Sequence, residues 1–139
     1  MNSLDAYRLD DRVVVLTGAS SGLGAGFAHA VAAVGAHLVL AARRTDRLEK
    51  LAAELAGAGT RVVTHTTDVS VPEDCRAVAR RAVEEFGRID VLINNASVGG
   101  VVPASCDTPG SFSSVIDVKV RNLAVQDALA DEAGPGADR

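Results

Sequence analysis

The run Thr17-Gly18-Ala19-Ser20-Ser21-Gly22-Leu23-Gly24 follows four aliphatic residues, Val13-Val14-Val15-Leu16, and opens into a segment with helical apolar spacing. A chain that passes directly from a buried strand into a helix must bend sharply, and it leaves the first N–H groups of the helix open to an anion. Glycine makes this possible in three ways. Gly18 can adopt backbone angles closed to other residues, Gly22 lets a pyrophosphate approach the main chain with no Cβ between, and Gly24 lets the helix lie close to the strand. Thr17, Ser20 and Ser21 are expected to add hydroxyl donors beside those amides. Three glycines alone would mark only a turn; the strand before them and the helix after them favour a phosphate-binding turn, here spaced Gly-x-x-x-Gly-x-Gly.

The chain then repeats the same alternation. Leu23, Phe27, Ala30, Val31 and Val34 fall on one helical face that Gly35 can end, and residues 37–42 read as a second strand. Thr45 or Asp46 can cap a helix with Leu48, Leu51, Ala52 and Leu55 on its apolar face and Gly57 placed to terminate it; residues 61–66 follow as a third strand. Ser70-Val71-Pro72-Glu73 has the form of a capping box, with Cys75, Val78, Ala79, Ala82 and Phe86 as the next apolar face before Gly87, and residues 89–93 make a fourth strand. Helical connections between consecutive strands demand a parallel sheet, and right-handed crossovers make it doubly wound. The expected fold is therefore α/β, a Rossmann-type sheet of about four strands in the order 3-2-1-4. One domain is expected over residues 1–139: an N-terminal extension at 1–9, the core at 10–95, a loop and final helix at 96–133 with the helix starting near Thr108-Pro109, and a disordered tail at 134–139.

Composition agrees with that architecture and narrows the partners. With 3% aromatic and 47% hydrophobic residues, the core must be packed from Val, Leu, Ile and Ala, which suits helices lying on a parallel sheet. A net charge of -4 gives no reason to expect nucleic acid or an anionic membrane surface. The two cysteines, Cys75 and Cys106, lack metal-type spacing, and His29, His37 and His65 have no partner at metal or catalytic spacing, so no metal is expected. No apolar run approaches the roughly 20 residues that span a bilayer, and the polar N-terminus does not resemble a signal peptide; a soluble, cytoplasmic protein is expected.

Ligands of doubly wound sheets lie over the carboxyl ends of the strands, which singles out the residues just after each strand. An acidic residue about 20 positions past the glycines would hold a ribose 2′-hydroxyl, as NAD requires. Ala42-Arg43-Arg44 stands there instead. The two guanidinium groups either clamp a 2′-phosphate, favouring NADP(H) over NAD(H), or are solvated loop residues. Asp68 either accepts a hydrogen bond from an adenine amino group, with Val69 packed on the ring, or is a turn residue. Asn94-Asn95 either reaches the cofactor ribose, ties neighbouring strands together, or serves a turn.

Taken together, Thr17-Gly18-Ala19-Ser20-Ser21-Gly22-Leu23-Gly24, Asp68-Val69 and Asn94-Asn95-Ala96-Ser97 resemble the glycine motif, the Asp-Val pair and the Asn-Asn-Ala-Gly motif of the short-chain dehydrogenase/reductase family, with Ser97 in place of the last glycine. The resemblance covers residues from about 10 to 120. It implies an NAD(P)(H)-dependent oxidoreductase with Gly18, Ser20, Ser21, Gly22, Leu23, Gly24, Arg43, Arg44, Asp68, Val69, Asn95 and Ala96 around the cofactor; Arg at position 43 goes with NADP preference in the family. It also implies catalysis by a Ser and a Tyr-x-x-x-Lys pair, in which Lys lowers the Tyr pKa. Neither is present: the one tyrosine is Tyr7, Asp11 stands four residues after it, and the only lysines are Lys50 and Lys119. Where the family has Asp-Val-Asn, this chain has Asp117-Val118-Lys119, and a lysine donates without accepting. After Val120 nothing matches, as a truncated or frame-shifted reading of a longer gene would leave it. The expectation is an NADP(H)-holding portion of such an enzyme, inactive alone and without catalytic residues of its own; the alternatives are a module that pairs with a second copy or another chain through the fourth strand and last helix, or a non-functional gene product.

Overall fold

The computed structural model describes residues 5–20, 22–57 and 59–96. After a one-turn 3-10 helix at Asp5–Tyr7, the chain forms β1 (Val13–Thr17), α1 (Gly22–Ala33), β2 (His37–Ala42), α2 (Thr45–Ala56), β3 (Val62–Thr66), α3 (Pro72–Phe86) and β4 (Val91–Ile93). The strands pair in parallel, as the alternation requires, and lie in the expected order β3-β2-β1-β4. The final helix and tail expected beyond residue 96 lie outside the described residues, as does Ser21.

The unbroken aliphatic run of β1 is explained by burial on both faces. Val13 and Val15 join Val39, Ala41, Val69, Cys75, Val78, Ala79 and Ala82 beneath α3. Val14 and Leu16 join Leu38, Leu40, Ala28, Leu48, Leu51 and Leu55 beneath α1 and α2. Each face of the sheet thus gains its own helix layer, and β1 and β2 supply side chains to both.

Helix α1 does not present the face that its largest apolar residues suggest. Leu23 is 74% and Phe27 40% exposed, whereas Gly24 and Ala28 are buried. The reason is distance: α1 starts so close to β1 that only the face with the smallest side chains fits against the sheet. Two helix starts also differ from expectation. Arg44, not Thr45 or Asp46, occupies the residue before α2, with no side-chain cap, and the Thr45 hydroxyl meets the Thr66 hydroxyl at 2.6 Å. Strands β3 and β4 begin later than expected, at Val62 and Val91; just before them the Arg61 carbonyl accepts Leu38 N–H and Asp90 N–H donates to the Val13 carbonyl. At the helix ends, Gly35 and Gly87 take the left-handed conformation, with φ of 97° and 75°; Gly57 stays helical, and Gly59 makes the turn at φ 83°. No helix among the described residues is long and apolar enough to cross a membrane.

At the amino end of the sheet a carboxylate clamps β1 to β4. Val13 N–H donates to Asp90 Oδ2 at 2.8 Å, and Asp90 N–H returns a bond to the Val13 carbonyl at 2.9 Å. Arg88 donates to Asp90 Oδ1, and Arg12 lies 3.5 Å from the same oxygen. Burial pushes the Asp90 carboxyl up, but Arg88, the Val13 N–H and Arg12 together hold it below the ordinary value. A depressed carboxyl contributes stability above its unfolded pKa and loses that contribution as pH falls through the folded value. Asp90→Asn is therefore expected to cost about 1 kcal/mol near neutral pH. The deficit should shrink as pH falls through the lowered folded pKa of Asp90 and vanish once the native carboxyl is also protonated. Urea denaturation of both proteins across pH measures it.

Candidate functional site

Four short loops converge over the carboxyl ends of the strands. Across the sheet they run Asp68-Val69 after β3, Arg43-Arg44 after β2, the glycine turn after β1, and Asn95-Ala96 after β4. Strand order reverses between β1 and β4, and such reversals are where open α/β sheets form a crevice.

The glycine turn is built on close approach. A Cβ on Gly24 would overlap the Gly18 carbonyl and stand 2.8 Å from Asn95 Nδ2. One on Gly18, whose φ is 66°, would stand 2.8 Å from Ala96 Cα. Gly22 is different: its φ is 60°, and among the described residues nothing lies within 4 Å of the place where its Cβ would be. Helix, turn and β4 loop are thus packed glycine to backbone, while the middle of the turn faces open space.

Thr17 locks this arrangement. Its side chain is fully buried, and its hydroxyl accepts the N–H groups of Asn95 and Ala96, each at 3.1 Å, while donating to the Ile93 carbonyl at 3.5 Å. The expected role of Thr17 as a ligand-facing donor is therefore corrected: β1 runs one residue past its aliphatic stretch, which carries Thr17 into the sheet. Asn95 Nδ2 donates to the Gly18 carbonyl at 3.3 Å, so of the roles open to this residue, tying neighbouring strands is the one displayed.

On the other side of the crevice, Arg43 and Arg44 are exposed beyond the buried Ala42. Asp68 Oδ1 accepts from the Ser70 hydroxyl at 2.6 Å and from Ser70 N–H at 2.9 Å. These bonds hold the Asp68 carboxyl below its ordinary value against the opposing effect of burial, and the Arg43 charge lowers it further. The capping box expected from Ser70 and Glu73 does not form. Val71 takes the cap position without a side-chain bond, Ser70 turns back to Asp68, and Glu73 pairs with Arg76 and Arg80. In its place Asp74 Oδ2 accepts Asp68 N–H at 2.8 Å, a contact the sequence reading missed. Its one local signal is the Asp-x-Ser spacing of an Asx turn at Asp68-Val69-Ser70. Val69, expected to pack on a ring, is 7% exposed and committed to the core beneath α3, and its carbonyl accepts from the Cys75 thiol at 3.5 Å, which leaves its main-chain N–H for a ligand.

Comparison with known proteins gives the same family and carries the match beyond Val120, where the resemblance was expected to stop. A family profile described as short chain dehydrogenase matches residues 12–126. The chain is similar to an uncharacterized oxidoreductase of Mycobacterium tuberculosis, 37% identical over 132 residues, which are 95% of this chain and 49% of that protein. In structure it is similar to a metagenomic short-chain oxidoreductase solved in complex with NADP, with a TM-score of 0.80 and 33% identity over 89% of this chain and 57% of that one. A short chain dehydrogenase/reductase from Burkholderia phymatum in complex with NAD gives a TM-score of 0.82 and 33% identity over 91% of this chain and 45% of that one. The chain spans about half the length of the relatives it matches.

The geometry separates two glycines that look alike in sequence. Gly24→Ala is expected to destabilise the fold by about 2 kcal/mol or more, since the neighbours it meets are main chain and a bonded amide. Gly22→Ala meets no atom and should cost only about 1 kcal/mol, for its left-handed backbone. Chemical denaturation of the two variants side by side measures the difference.

Proposed function

The chain belongs to the short-chain dehydrogenase family of oxidoreductases, and from that premise we propose that it holds a nicotinamide dinucleotide across the carboxyl ends of its strands, NADP(H) in preference to NAD(H). The residues fit the group: the open space over Gly22 accepts a pyrophosphate against the main chain, with Gly18, Ser20, Leu23 and Gly24 forming the turn around it. Asp68 takes the adenine amino group, Val69 contributes through its main chain, and Asn95 and Ala96 border the nicotinamide ribose. When bound, the nicotinamide supplies or accepts a hydride, in the family between cofactor and a carbonyl or alcohol substrate.

The observation that carries the NADP preference is the end of β2, where two exposed arginines stand and no acid does. The Arg43 charge also helps to hold the Asp68 carboxyl below its ordinary value. Arg43→Ala is expected to weaken NADPH binding by about tenfold or more, the loss of one charge-assisted contact, while leaving NADH affinity nearly unchanged. Calorimetric titration of the folded chain with each cofactor tests this; equal affinity for both in the parent chain would overturn the preference.

We further propose that this chain does not transfer hydride by itself. Tyr7 is exposed in the one-turn helix at Asp5–Tyr7. The segment that follows bonds to the end of α1 through Leu9 N–H and the Val34 carbonyl at 2.8 Å, at the opposite end of the sheet from the glycine turn. Lys50 is an exposed residue of α2. With ketone substrates the purified chain is expected to consume no NADPH above background; turnover that survives removal of contaminating reductases would contradict this. A second reading, pairing with another chain along β4, is supported by the place of that strand. It ends the sheet among the described residues, and its Val91, Leu92 and Ile93 are only partly covered. Sedimentation across a concentration series separates the two.

A further inference from the structure

Every polar group of Asp68 except one is already committed. Its N–H donates to Asp74 Oδ2 at 2.8 Å, and its carbonyl accepts Val71 N–H at 3.0 Å. Oδ1 accepts both donors of Ser70, at 2.6 and 2.9 Å. The turn is thereby held from three sides, and the carboxylate plane is fixed by two donors on one oxygen. Among the described residues no hydrogen bond is made to Oδ2, and Arg43 is the cation that acts on this carboxylate.

The contact from Asp74 stands apart, because it crosses from the first turn of α3 to the residue that ends the β3 loop. A carboxylate early in a helix is ordinarily explained by the helix dipole alone. Here it reaches six residues back, past the helix start, and takes up the one Asp68 main-chain donor. Without that acceptor the donor is left half-buried and unsatisfied, and the turn has reason to rotate. Rotation would carry the Asp68 carboxylate with it.

We propose that Asp74 is a positioning residue for adenine recognition: by holding Asp68 N–H it aims the Asp68 carboxylate, and so sets how well the site tells an amino group on the purine from a carbonyl. The proposal rests on the cofactor reading above. An ionised carboxylate only accepts, so a fixed Oδ2 rewards a purine that donates from its six-position and repels one that presents an oxygen there. The structural part of the effect, fold stability, falls equally on both ligands; the positioning part appears only in their ratio.

The experiment titrates the full chain with NADPH and with its hypoxanthine counterpart, in which a carbonyl replaces the adenine amino group. The parent chain is expected to prefer NADPH by about tenfold, a hydrogen bond to a charged acceptor. Asp74→Ala should bring the ratio close to one, mostly through weaker NADPH binding. Asp74→Asn keeps an acceptor oxygen for Asp68 N–H and should restore most of the ratio. Should Asp74→Ala fail to fold, Ser70→Ala, which removes one donor from Asp68 Oδ1, is expected to lower the ratio in the same direction. An unchanged ratio in the folded variants, or an equal loss for both ligands, overturns the proposal while leaving the cofactor site intact. A folded parent chain that binds neither ligand overturns the cofactor reading and this proposal with it.

Discussion

A helix can start directly over the end of a strand only where no Cβ stands between the two backbones, and the carboxyl end of this sheet depends on that condition being met twice. Gly24 lies on the Gly18 carbonyl, and Gly18 lies on the backbone of Ala96. Three separate elements, β1, α1 and the loop after β4, are brought into main-chain contact by these two missing side chains. The buried Thr17 hydroxyl then joins the same loop to the strand by hydrogen bonds that an aliphatic residue could not make. What remains in the middle, around Gly22, is backbone with space over it. That is a geometry suited to an anion, since a helix start offers N–H groups and, among the described residues, no atom meets a Cβ placed on Gly22.

The two ends of the sheet are treated differently, and the contrast assigns them different work. At the amino end, Asp90 neutralises Arg88 and Arg12 and exchanges bonds with Val13, so charge and backbone donors are used up in holding β1 to β4. At the carboxyl end, Arg43 and Arg44 stand exposed. The Asp68 carboxylate there is oriented by Ser70 and, among the described residues, makes no salt bridge. Stability is concentrated where no ligand is expected, and unsatisfied recognition capacity is concentrated where one is.

Much of this was legible in the sequence, for physical reasons that can be named. The aliphatic run of β1 announces burial on both faces, and β1 indeed feeds two cores. Parallel pairing follows from the helical connections alone. The places where sequence reading failed share a cause: each depends on distance between elements that periodicity does not encode. Leu23 and Phe27 look like a core face, but α1 sits too near the sheet for large side chains, so Gly24 and Ala28 take that place. Ser70 and Glu73 look like a reciprocal cap, yet Asp68 is a nearer acceptor for Ser70 and Arg80 a nearer partner for Glu73. Thr17 looks like part of the turn, but the strand extends one residue further and buries it. The role of Asp74 was invisible because it connects two residues whose spacing matches no local motif.

If the carboxyl-end crevice is the surface that takes the cofactor, amide chemical-shift mapping detects it most directly. Adding NADPH to the isotopically labelled chain should move the resonances of Gly18, Ser20, Gly22, Leu23, Gly24, Arg43, Asp68, Val69 and Ala96, and leave those of Arg12, His37 and Asp90 at the far end of the sheet in place. A folded chain whose shifts are confined to the amino end, or do not change at all, would contradict it.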